Sequence, residues 1–307
     1  MSYQIAFGSR PWLVRALGLA CLFTFALPCA LKLYPQDPPP TAPSDLFTHV
    51  ISNQKASEAF LDEYERTQRV EKRRTASDSQ PLSTTITRLI PAGPGMGKLV
   101  LSVNNKPTDP AAYRSELEKF EQYAIWAAQD GPAQKDAYAK AERKRKERFD
   151  LIEATHQAFL FKLEGKELRD GRTLLRYSML PNPDYHATTR NALIFSRVRG
   201  TLWVDEQSLQ LAKIDGSVTE DFTFGLFLAK VYKGSHFMEE RYEVAPGVWE
   251  PTFEQYDFDG RKFMVSFSIH ERTFYSNYKR VGPPKQAAEV IHAELDKLAS
   301  NQPPQSN

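Results

Sequence analysis

The stretch RGTLWVDEQSLQLAKIDGSV, Arg199 to Val218, divides into two short strands about a polar turn. Side chains alternate across a strand, so Leu202 and Val204 point one way while Trp203 points the other, between Thr201 and Asp205. An antiparallel sheet that only covers a core is dry on one face and wet on the other. Trp203 therefore requires a contact of its own on the second face: a helix of the same chain, a partner or a ligand.

Outward from this hairpin the same pattern repeats. From Phe159 the sequence predicts strand after strand: FLFKLEG, RTLLRYSM, TLWVD, LQLAKIDG, LFLAKVYKG, HFMEERYEV, TFEQYDFDG and KFMVSFSIHERTF. Turns are expected at Gly165, Gly171, Gly216, Pro246-Gly247 and Asp259-Gly260. Hairpin-scale spacing without intervening helices indicates an antiparallel meander rather than a parallel sheet. In KFMVSFSIHE the alternation places Phe263, Val265, Phe267 and Ile269 on one face.

Upstream, a helix is expected from Ser44, with Leu46, Val50, Phe60, Leu61 and Tyr64 as a loose apolar stripe, ending in the charged run YERTQRVEKRR. Strands are expected at Thr84–Ile90 and Lys98–Asn104. Asp109-Pro110 then opens a helical hairpin over residues 109–158, broken at Asp130-Gly131-Pro132. An amphipathic helix, Ala287 to Leu298, precedes a polar tail within 286–307. The PAGPGMG segment between the early strands reads as a hairpin turn. Leu99 stands where a phosphate loop needs a hydroxyl residue, and a strand follows where such a loop needs a helix.

The 307 residues carry 40 basic and 38 acidic side chains, a net charge of +2 that gives no whole-chain reason to expect a nucleic-acid partner. The basic run ERKRKER, Glu142 to Arg148, reads as the charged outer face of a helix. The only cysteines, Cys21 and Cys29, fall in the apolar segment Ala16–Leu31, which follows Arg10 and Arg15. That order is the pattern of an export signal or N-terminal anchor over residues 1–33, with a proline-rich linker over 34–44.

No two of the six histidines have the i, i+4 spacing of a helical metal pair. In a strand, His236 and Glu240 share a face, as do Asp257 and Asp259 beside a glycine turn. Neither pair, nor any nucleophile motif, defines an enzyme, and no metal or cofactor is expected. The aromatic strands remain. By strand parity, Phe159, Phe161, Trp203, Phe222, Phe224, Phe253, Phe263, Val265, Phe267 and Ile269 are candidate linings of a partly open cavity, the alternative being a core shared with the chain's own helices. An apolar pocket with few polar anchors suits an acyl chain.

Tyr-x-x-Thr-Gln-Arg-Val-Glu (Tyr64 to Glu71) and above all the Gly-x-Leu-Trp-Val-Asp strand, Gly200 to Asp205, with its polar turn and Leu-rich partner strand, resemble exported proteins of the outer-membrane-lipoprotein-sorting (LolA-like) superfamily. The resemblance covers most of residues 45–280. It implies an α+β domain over 45–285, an open, strongly curved antiparallel sheet with helices on the concave side, here with the helical hairpin as an insertion. It also implies a non-enzymatic periplasmic protein that binds a lipid or the acyl chain of a lipoprotein, or an RseB-type envelope sensor that binds a protein partner, here through 109–158. Under this resemblance Trp203 faces either the concave interior or the opposite side.

Overall fold

The computed structural model describes residues 44–187, 192–224 and 229–300. The segment and linker expected over residues 1–43 lie outside the described residues, as do Leu226 to Leu228 of one expected strand and the last seven residues.

The elements run in the order α1 (Ser44–Phe60), β1 (Tyr64–Arg73), β2 (Ser83–Pro91), β3 (Met96–Val103), β4 (Lys106–Pro107), α2 (Pro110–Ala127), α3 (Pro132–Ala158), β5 (Phe159–Arg169), β6 (Arg172–Pro181), β7 (Val198–Asp205), β8 (Leu211–Val218), β9 (Phe222–Phe224), β10 (Ala229–Val231), β11 (His236–Ala245), β12 (Val248–Lys262), β13 (Val265–Arg280) and α4 (Pro284–Ser300). The fold is α+β. Its antiparallel sheet follows the order β4-β3-β2-β1-β13-β12-β11-β8-β7-β6-β5, with β10 and β9 branching from β12. The two ends of that order are different strands, so the sheet is not closed into a barrel.

Two compact units are present. The first comprises the described parts of residues 1–57, 72–81 and 148–272; the second comprises 58–71, 82–147 and the described part of 273–307. In the first, β5 to β8, β11 and β12 alternate apolar residues onto one face. Leu175, Tyr177 and Met179 of β6, Val198, Leu202 and Val204 of β7, and Tyr256 and Phe258 of β12 form one cluster there. Phe47 and Val50 of α1, Phe195 from the 3-10 helix Ala192–Arg197, and Ala158 at the end of α3 cover it.

In the second unit, Ile90 of β2 and Leu99 of β3 pack against Leu117 and Phe120 of α2 and Ile291 and Leu295 of α4. The sequence places α2 sharply. Pro110 starts the helix, and the Asp109 carboxylate accepts from the N–H groups of Ala111 and Ala112 at 3.0 Å each.

Three expectations need correction. The charged run from Tyr64 does not end a helix; it is strand β1, with Glu65, Arg66, Gln68 and Glu71 buried. Its charges are matched by residues distant in sequence. Arg88 of β2 donates to Glu65 at 2.6 Å and to Glu294 of α4 at 2.7 Å, and Tyr113 of α2 donates to Glu294 at 2.6 Å. Gln68 donates to Tyr275 at 3.0 Å, and the Arg69 guanidinium lies 3.9 Å from the centre of the Phe274 ring.

The turns expected at Gly165, Gly216 and Asp259-Gly260 are instead strand interior. Gly165 sits at a bulge opposite Arg176. Gly216 is a close-approach glycine: a Cβ there would overlap the buried Phe237 ring, 2.7 Å from its Cε1 and nearer still to its Cζ. The turns at Asp170-Gly171 and Pro246-Gly247 are present.

The third correction is at the β12–β13 hairpin, which turns on Phe263 and Met264, not at Asp259-Gly260 four residues earlier. Phe263 has φ +55°, a position that two-residue hairpin connections ordinarily give to Gly, Asn or Asp.

Two variants probe these constraints. Gly216→Ala presses a methyl group onto a ring with no room to retreat and should lower the unfolding free energy by about 1–3 kcal/mol, read from the urea midpoint. Arg88→Ala leaves Glu65 and Glu294 as mutually repelling, half-buried carboxylates and should cost about 3 kcal/mol in the same measurement.

Candidate functional site

The apolar sheet face of the first unit is the candidate site. Its centre is aromatic. Phe47 of α1 stacks on Phe161 with ring centroids 4.0 Å apart and planes 19° from parallel, and meets Tyr177 edge-on at 5.2 Å. Phe159 packs edge-on against Phe195 at 5.5 Å. Polar contacts fasten α1 further along: the Asn53 amide donates to the carbonyls of Ser208 and Leu209 at 3.1 and 3.0 Å, and Lys55 pairs with Glu153. The β7–β8 turn that receives Asn53 is itself held by Asp205, which accepts from the Ser208 N–H at 2.8 Å and its hydroxyl at 2.6 Å.

The sequence candidates separate into groups. Phe159 is buried in this cluster, and Phe161, Phe222, Phe267 and Ile269 pack against it half-buried. Trp203 lies on the opposite face, in a small cluster with Leu174, Ala212 and Trp249. Phe253 is half-buried and, by alternation with Tyr256 and Phe258, also on the opposite face. Phe263 and Val265 are exposed at the hairpin tip. The side chain of Phe224 lies outside the described residues.

The expected partly open cavity is occupied. Side chains from α1, from the 3-10 turn and from the end of α3 rest on the sheet face. Two cavities, of about 460 and 180 Å³, lie elsewhere, and none of the ten candidates lines either. Sequence reasoning missed the covering residues Phe47, Ile194 and Phe195. Phe47 sits directly beside Leu46 of the expected stripe, one position off the spacing that was followed.

The opposite face is polar and paired. His236 contacts Asp215 at 2.9 Å, while Glu240 takes Arg169 at 2.8 Å and Lys213 at 3.3 Å. His236 and Glu240 therefore have separate polar partners, and among the described residues no cluster of His, Cys, Asp and Glu could hold a metal ion. Asp257 is not a turn residue. Its carboxylate accepts from Arg272 at 2.9 Å and from Gln255 at 2.7 Å, and contacts His270 at 3.1 Å. Burial pushes the Asp257 carboxyl up, but the hydrogen bonds from Arg272 and Gln255 outweigh it and hold the group below its ordinary value.

The sequence matches no family model and no curated protein. Solved structures similar to the chain include an outer membrane lipoprotein-sorting protein domain from Vibrio parahaemolyticus, at 10% identity over 80% of this chain and 99% of that one, with a TM-score of 0.32. A LolA superfamily protein from Nitrosomonas europaea is similar at 10% identity over 77% and 96%, with a TM-score of 0.25. The MucA/MucB complex of Pseudomonas aeruginosa contains a chain similar at 11% identity over 81% and 96%, with a TM-score of 0.21.

Asp257 gives an acid-stability prediction with a defined sign. Its folded pKa is depressed, so its contribution is fully present above the unfolded value, about 3.9, and is lost as pH falls through the folded value. Asp257→Asn should cost about 1.5–3 kcal/mol at neutral pH, and the gap to the wild type should narrow as pH drops below about 4. Urea midpoints measured across that window decide it.

Proposed function

We propose that the chain is an exported, non-enzymatic binding protein of the bacterial envelope, working in the periplasm, and that the α1-covered sheet face receives the acyl chain of a lipid or lipoprotein. The export pattern of Arg10, Arg15 and Ala16–Leu31 supports the compartment. The observation that supports the binding reading is the Phe47–Phe161 stack, through which a separate helix lies on the apolar sheet face.

The helix cover and a hydrocarbon chain can be compared in strength. Leu46, Phe47 and Val50 are the α1 side chains in the cluster, and burying each contributes about 1.5–3 kcal/mol, so roughly 4–9 together. An acyl chain of about a dozen carbons gains about 9–10 kcal/mol at about 0.8 per methylene. The acyl chain thus gains up to about 6 kcal/mol more than the α1 side chains lose, a margin from which the cost of association is drawn. Phe159, Phe161, Phe222, Phe267 and Ile269 would be the surface uncovered, and no catalytic group is required.

A second reading, an envelope sensor that binds a protein through the helical pair, draws on the exposed Ile125 of α2 and Arg143, Lys144 and Lys146 of α3. The pair is not a detachable insert, since Leu117 and Phe120 belong to the core of the second unit. Charge reversal at Arg143, Lys144 and Lys146 separates the readings. It should leave acyl uptake intact and would abolish binding only to a protein partner.

The direct test has two parts. Solvent extraction of the purified chain followed by mass spectrometry should recover acyl lipid, and titration with a fluorescent fatty acid should saturate. Phe47→Ala removes the competing ring and should tighten that fatty acid several-fold, a gain of about 1 kcal/mol, whereas Phe161→Asp should abolish uptake. Wild-type protein that neither yields nor takes up an acyl chain, or a Phe161→Asp variant that binds like wild type, would overturn the reading.

A further inference from the structure

The β12–β13 hairpin ends in three consecutive apolar residues that belong to no core cluster among the described residues. Phe263 is 55% exposed, Met264 88% and Val265 71%. Isolated exposed apolar residues are ordinary, but three in succession at the end of a hairpin are not explained by folding. Folding also disfavours this choice locally. Phe263 holds φ +55° on a bulky side chain, a strained conformation that glycine would adopt freely. Such strain, in a residue with no packing role, points to a function at the tip.

The flanking charge identifies the kind of surface that fits. Arg261 and Lys262 immediately precede the apolar triplet and are exposed, and neither has an ion-pair partner among the described residues. Lys230 lies opposite Arg261 in the β10–β12 ladder. The nearby carboxylates are already engaged: Asp221 pairs with Lys230 at 2.7 Å, and Asp259 accepts from the Ser268 hydroxyl. An apolar wedge with unneutralised cations at its base matches the boundary of a bilayer, where acyl chains lie beneath anionic headgroups.

We propose that the Arg261–Val265 tip docks the protein onto an anionic lipid surface, inserting Phe263, Met264 and Val265 among the acyl chains while Arg261 and Lys262 meet the headgroup phosphates. The tip side chains Phe263, Met264 and Val265 stand outside the α1-covered cluster, so this docking and the acyl-binding reading can fail independently.

The test places an environment-sensitive fluorophore on the full chain at Met264→Cys, with Cys21→Ser and Cys29→Ser removing the other thiols. Vesicles of phosphatidylcholine with phosphatidylglycerol should shift the label's emission to the blue, and vesicles of phosphatidylcholine alone should do so far less. Arg261→Glu and Lys262→Glu should each weaken the response about fivefold or more, and added salt should weaken it further. These exposed substitutions should leave the thermal midpoint unchanged, which separates loss of docking from loss of fold. A label whose emission ignores both vesicle types, or responds equally to both and to the charge-reversed variants, would overturn the proposal; the first result would leave a protein contact as the occupant of the tip.

Discussion

Phe47 lying flat on Phe161 is the contact on which the first unit depends. The strands of that unit turn Leu175, Tyr177, Met179, Leu202, Val204, Tyr256 and Phe258 to one side, and a sheet face of that composition cannot stand in water. Its cover comes from a helix that precedes every strand in the chain. α1 contributes few apolar side chains, so the ring that reaches deepest carries most of the seal. The Asn53 and Lys55 contacts fix where the helix lies without adding much to its hold, because each exchanges a hydrogen bond or an exposed ion pair with water for one with protein. Phe195 and Ala158 complete the cover beside α1.

The second unit meets the opposite problem. β1 brings Glu65, Arg66, Gln68 and Glu71 into the interior, where an uncompensated charge is expensive. The Arg88 guanidinium answers by bridging Glu65 and Glu294, with Tyr113 completing the carboxylate of Glu294. One guanidinium thereby joins β1, β2 and α4, and the tyrosine joins α2 to them. Such a network is satisfied only when all of these elements are in place, so it specifies their arrangement more than it adds net stability. Glycine contributes similarly by omission: Gly97 leaves room for the Phe120 ring of α2 against β3.

Much of this architecture is legible in the sequence, and the failures have physical causes. Period-two alternation and Asp-Gly chemistry place β5 to β8, and Asp109-Pro110 and Asp130-Gly131-Pro132 bound the helices, because these signals act within a few residues of themselves. β1 was obscured because its partners, Arg88, Tyr275 and Glu294, are supplied from far along the chain. Gly216 and Gly260 read as turns because glycine has two uses, and only the coordinates show an aromatic ring, Phe237 or Phe267, resting on each. The Phe263-Met264 turn carried no turn chemistry at all. Five candidates of the site reach one face, yet the sequence could not show that the face was already covered, since cover and lining are both apolar and only their pairing distinguishes core from cavity.

Trp203 shows how one strand can be apolar on both sides, because its second face packs within the same sheet. The β7–β8 ladder slips between Trp203 and Val204, which pair with Lys213 and Leu211, so Ala212 is an extra residue in the register. That bulge turns Ala212 and Lys213 to the same side, where Ala212 joins Trp203, Leu174 and Trp249. Lys213 then lays its ammonium 5.0 Å from the Trp203 ring centre, and Arg172 lies 5.0 Å from that of Trp249. Cations with long apolar stems cover indole faces while keeping their charge near water. The second apolar face is thus small and finished by charged side chains of the same sheet, whereas the first is broad and finished by a separate helix. The long stems do not close the second face completely: a cavity of about 180 Å³ borders Leu174, Ala212 and Trp249 and is rimmed by Arg169, Arg172 and Arg241.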